Sequence, residues 1–117
     1  DRLQRTPNKS WWEGEPFNLD VEKLSLFEGV DIIVTHTAPD FAYPLGFNHL
    51  VMSYAGYDAS LLNDLTNERS SLKIAYKTLT EKNNISNWFY GHFHDTQTTF
   101  FENTKFNLLG INHFYQL

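Results

Sequence analysis

The sequence predicts one domain of mixed α/β (α+β) class over residues 1–117, built on a mixed sheet whose C-terminal strands are antiparallel. Two short apolar runs, Asp31-Ile32-Ile33-Val34-Thr35 and Trp88-Phe89-Tyr90, have the length and the β-branched or aromatic content of buried strands. Between them lies one long segment in which leucine returns at helical intervals. Beyond residue 95, threonine- and phenylalanine-rich runs separated by a turn have the pattern of paired strands.

In chain order, residues 1–18 are irregular and rich in turn formers, with Trp11 and Trp12 as anchors. Asp20 is a candidate N-cap for a short helix over 21–28, and Gly29 is its stop. The first strand covers 31–35. From Thr37 to Tyr57 the expectation is a long loop or a pair of short turns, because Phe41, Tyr43, Phe47, His49, Tyr54 and Tyr57 follow no clean period. Asp58 or Ser60 then caps a helix that runs to about Lys82. Its core stripe is Leu61, Leu62, Leu65, Leu72, Ala75, Tyr76 and Leu79, with Glu68, Arg69, Lys73 and Lys77 assigned to the wet side. Asn83-Asn84 ends it, and a strand runs on to Gly91. Strands follow over Thr96 to Glu102 and Lys105 to Ile111, around a turn near Asn103-Thr104, with a last one through Leu117.

Composition narrows the function classes. The chain is 41% hydrophobic and 16% aromatic, enough for a core, and its net charge of -5 disfavours nonspecific binding to nucleic acid or anionic membrane. The absence of cysteine excludes a disulfide scaffold and thiolate zinc, and fits a reducing, cytoplasmic compartment. No stretch approaches the roughly 20 apolar residues of a membrane span. Asn8-Lys9-Ser10 and Asn84-Ile85-Ser86 match glycosylation sequons, read as chance matches without a secretory signal.

Among five histidines, His36, His92 and His94 share a context: a strand end, a small or glycine neighbour, then a turn. His49 and His113 lack it and are read as ordinary polar residues. If residues 92–94 are extended, His92 and His94 point the same way roughly 6.6–7 Å apart, which suits two metal ions roughly 3.5–4 Å from each other. Two dications at that separation repel by roughly 19 kcal/mol at an effective dielectric of 20, and neutral imidazoles do nothing to offset it. Carboxylates are therefore required, and only Asp31, Asp40 and Asp95 lie near in sequence. Either the site holds a single ion on three histidines, or anions come from elsewhere. A non-catalytic binding module is the alternative from a different class.

Thr35-His36-Thr37-Ala38-Pro39 and Gly91-His92-Phe93-His94 resemble the last two motifs of the calcineurin-like metallophosphoesterases. The resemblance extends to Asp1-Arg2, Arg5-Thr6 and Ser10-Trp11-Trp12 with Glu15, similar to a linker in bacterial and phage members. Leu61-Leu62-Asn63-Asp64-Leu65 with Glu68-Arg69 is similar to the helix before the final motif. It spans nearly the whole chain but only the C-terminal half of a family member, so residues 1–117 are expected to be a partial domain.

The resemblance implies a four-layer αββα sandwich with two divalent ions at the strand ends, manganese, iron, zinc, cobalt or nickel. His36 and His92 would hold one ion and His94 the other. It implies hydrolysis of phosphate mono- or diesters, with the remaining ligands and the general acid on motifs this chain lacks, so no catalytic residue is assigned here and the chain alone is expected to be inactive. Arg2 or Arg5 is a candidate phosphate contact, and the aromatic loop 41–57 a candidate pocket wall. The partner expected is the missing half, or a second copy, covering an exposed sheet edge and apolar face.

Overall fold

The computed structural model describes residues 6–9, 17–44 and 49–117. Trp11, Trp12, Arg2, Arg5, Glu15 and Phe47 lie outside them, as does the side chain of His49. The described chain is mixed α/β. Its elements run α1 (Val21–Leu24), β1 (Ile32–Thr35), a 3-10 turn (Asp40–Ala42), α2 (His49–Ala55), α3 (Leu61–Thr80), β2 (Asn87–Tyr90), β3 (Gln97–Phe101) and β4 (Thr104–Leu108).

Asp20 caps α1 as its sequence position predicts, accepting a hydrogen bond from Lys23 N at 2.9 Å. The helix is shorter than the expected 21–28, because the chain turns at Ser25 and Leu26, before Gly29 takes its positive φ of 75°. Asp58 Oδ1 receives both the backbone N–H and the hydroxyl of Ser60, which fixes the turn entering α3. At the other end Asn83 closes the helix. Its amide donates to Leu79 O and Phe27 O, and its Oδ1 accepts from Val30 N, so one side chain ties the end of α3 to the lead-in of β1.

The strands form one four-stranded sheet in the order β1-β2-β4-β3. β1 pairs with β2 in parallel, β2 with β4 in parallel, and β3 with β4 antiparallel. The C-terminal hairpin thus folds back so that its second strand, not its first, lies beside β2. A run of antiparallel neighbours does not capture this. No strand forms after Leu108; the segment to Leu117 crosses the sheet instead, with the Tyr115 ring 4.9 Å from Phe89. The expected 37–57 loop contains a helix, α2.

One face of the sheet packs beneath α3. The register sets Ile33, Trp88 and Phe106 in one row and Thr35, Tyr90 and Leu108 in the next, all on that face. Leu72 and Tyr76 from α3, with Ala38 and Ala42, complete the buried cluster. Trp88 stacks on Phe106 at 5.5 Å and Phe41 stacks on Phe101 at 3.8 Å. The Tyr76 hydroxyl is paired with Thr104 and Glu102, so no polar atom of that ring is stranded in the core.

The opposite face carries Val34, Phe89, Asn107 and Phe100; Phe89 and Asn107 in its middle are buried, Phe89 against the Tyr115 ring, while its two edge strands are open. Val34 on one edge strand is 75% exposed and Phe100 on the other is 71% exposed. Large apolar side chains exposed on edge strands favour association. Light scattering of the chain is expected to report self-association, and Val34→Asp combined with Phe100→Asp to shift the population toward monomer.

Candidate functional site

β1 and β2 are adjacent and parallel, so their carboxyl ends open on the same side of the sheet. His36 follows Thr35 directly and His92 lies two residues beyond Tyr90, the partner of Thr35 in the ladder. The backbone pairing continues one step past the strands, with Gly91 N donating to His36 O at 3.3 Å. As a result the His36 and His92 rings meet edge to face with centroids 4.6 Å apart and planes 65° apart. Crevices outside the carboxyl ends of parallel strands are the usual ligand sites of α/β sheets.

A hydrogen-bond relay fixes the backbone around His36. The Trp88 indole N–H donates to Thr35 Oγ1 at 2.7 Å, and that hydroxyl donates to Thr37 O at 2.6 Å. The residues on either side of His36 are thereby held by a core side chain. A second support runs from the helix: the Arg69 guanidinium lies 3.2 Å over the Tyr43 ring, and Tyr43 meets Phe93 edge to face at 4.6 Å. Phe93 sits between His92 and His94, so this stack props the histidine turn from below. Tyr90 adds a third tie, donating to Ala42 O at 2.6 Å, and burial pushes its phenol up to about 12.

The alternation expected for an extended Gly91-His92-Phe93-His94 does not occur. β2 ends at Tyr90, and His92 and His94 take left-handed backbone with φ of 72° and 53°. Their side chains are placed by a turn, not by strand pleating. Non-glycine residues at positive φ are uncommon and cost of order 1–3 kcal/mol each, a strain that clusters at functional sites. His92 has its pKa lowered, first because neighbouring rings remove water from it and then because His36 and His94 lie close by. His94 is thus within electrostatic reach of the pair. Even so, no group of three or more His, Cys, Asp or Glu side chains among the described residues is arranged to hold a metal ion.

A cavity of about 440 Å³ opens beside His36, lined by Phe17, Thr35, His36, Thr37, Glu68 and Leu72. Glu68 and Arg69 therefore do not take the wet side. Glu68 is half-buried in this cavity and Arg69 is buried. Burial raises the Glu68 pKa, and the charges of His36 and then Arg69 oppose that rise. The spacing that should have flagged them was present: Leu65, Glu68 and Leu72 stand at intervals of three and four, on the core stripe. Among the described residues, no ring of the 41–57 segment lines this cavity. Phe41 fills the core and Tyr43 braces the histidine turn.

The three acidic residues near the histidines in sequence have other surroundings. Asp40 pairs with Lys73 at 2.9 Å, Asp95 Oδ1 accepts from Thr96 N at 2.7 Å, and Asp31 is exposed ahead of β1. His113 shares a hydrogen bond with Thr96 at 3.0 Å, an ordinary polar contact. Comparison with family models, with curated proteins and with solved structures returns no match. No helix among the described residues is long and apolar enough to cross a membrane.

Thr35→Val removes both bonds of the relay and strands the Trp88 N–H, and urea unfolding is expected to show a loss of about 2 kcal/mol with an unchanged m-value. The lowered His92 pKa has a definite sign. The unfolded chain binds that proton more readily, so stability is complete above 6.5 and falls as pH drops from 6.5 toward the folded value. Thermal melts of the metal-free chain should show this decline, and His92→Gln should flatten it.

Proposed function

We propose that this chain is the histidine-bearing C-terminal part of a metal-dependent phosphoesterase, folded as part of a four-layer sandwich. The observation that supports this most directly is the meeting of His36 and His92 at the ends of two parallel strands, 4.6 Å apart. Rings at that separation can each turn a nitrogen toward one ion at about 2.0–2.1 Å. His92, held neutral by its surroundings, keeps a lone pair to offer near pH 7. His94, adjacent on the same turn, is the ligand proposed for a second ion. Divalent ions bound there would polarise phosphate oxygens and make hydroxide available near neutral pH.

The chain's own residues bind and orient. The Trp88–Thr35–Thr37 relay fixes His36, and the Arg69–Tyr43–Phe93 stack fixes the turn bearing His92 and His94. The cavity beside His36 is large enough for an ester group, and Phe17 and Leu72 give it an apolar wall. Imidazoles alone leave the charge of two ions uncompensated, so the described part is a partial donor set and carries no phosphate chemistry unaided.

A binding module without catalysis is the second reading, favoured by the absence of a three-ligand group among the described residues. Calorimetric titration with manganese separates the two. Under the phosphoesterase proposal the chain binds the ion, and His36→Ala or His92→Ala weakens binding at least about tenfold. Turnover of an aryl phosphate by the chain with manganese should stay at background. Unchanged metal binding in all three histidine variants would replace the proposal with the binding-module reading, and vigorous turnover would overturn the partial donor set.

A further inference from the structure

We propose that Glu68 is the outer carboxylate of the histidine centre, a positioning residue that shares the cavity with His36, restrains that imidazole and supplies negative charge to a bound dication. This rests on the metal proposal above and adds to it a residue outside both histidine motifs.

Several independent observations converge on Glu68. It occupies a core-stripe position of α3 between Leu65 and Leu72, where a leucine would pack and a carboxylate costs stability. Glu68 and His36 line the same cavity, and the two interact electrostatically. The nearby aspartates engage elsewhere, Asp40 with Lys73 and Asp95 with its own turn. Imidazole ligands bring no negative charge, and a dication with an anion beside its ligands is held more firmly than by such donors alone. Carboxylates behind ligating histidines fix the ring orientation and raise ligand basicity, and their loss weakens metal binding about 10–100-fold.

A half-buried carboxylate at a core-stripe position costs stability, and a neutral amide of the same shape relieves that cost. Glu68→Gln keeps the shape and removes the charge.

The test titrates the 117-residue chain with Co²⁺ alone by calorimetry, beside thermal melts without metal, for wild type, Glu68→Gln, Glu68→Asp and His36→Ala. Glu68→Gln should melt at or above the wild-type temperature while binding Co²⁺ about 10–100-fold more weakly. Glu68→Asp should recover part of the affinity. A purely structural residue would not raise the melting temperature and lower the affinity in one substitution. If Glu68→Gln binds as tightly as wild type while His36→Ala does not, the role of Glu68 is overturned and the metal centre stands. If wild type itself takes up no Co²⁺, both are overturned.

Discussion

Parallel pairing of β1 with β2, in the register that sets Thr35 against Tyr90, is the constraint from which the candidate site follows. His36 and His92 are 56 positions apart in sequence, and this ladder brings them together. Side chains alternate along a strand, so a slip of one residue would turn Trp88 and Tyr90 out of the core. It would also break the Trp88–Thr35 bond and remove Gly91 from His36 O. Register, core and site are therefore one cooperative unit. The core enforces the register because Trp88, Tyr90, Phe106 and Leu108 must all lie beneath α3.

The same side chains serve packing and placement. Trp88 stacks on Phe106 in the interior and sends its N–H to the residue before His36. Tyr90 fills the core and holds the carbonyl of Ala42, which fixes the path of the loop that carries Tyr43. Tyr43 in turn receives Arg69 on one side and Phe93 on the other. Imidazoles mounted on a turn would ordinarily sample many orientations. Here the turn is braced by elements whose own positions are set by buried area.

Much of this was legible in residues. The meeting of His36 and His92 was legible because each follows a short apolar run that pairs with the other, and the cap at Asp20 followed from a side-chain rule with little tertiary competition. Glu68 and Arg69 were misplaced because charge was weighed above spacing, although Leu65 and Leu72 bracket them at core intervals. α2 escaped notice because His49–Ala55 is too short for an apolar period to show, while Phe41 and Tyr43 ahead of it answer to contacts with the sheet and α3. The position of β4 beside β2 escaped for a related reason: local turn chemistry specifies the β3–β4 hairpin, while the choice of which strand faces β2 depends on burying Phe106 and Leu108.

The left-handed backbone at His92 and His94 bears on how substitutions there are to be understood. Alanine deletes the ring but retains a Cβ that the conformation tolerates poorly, whereas glycine deletes the ring and is at ease in that region of dihedral space. The difference in folding free energy between the two replacements therefore isolates the backbone's share, on the order of 1 kcal/mol, from whatever the imidazole contributes. At these two positions a mirror-image residue would fit the main chain better than the natural one does, and the turn holds its shape against that preference.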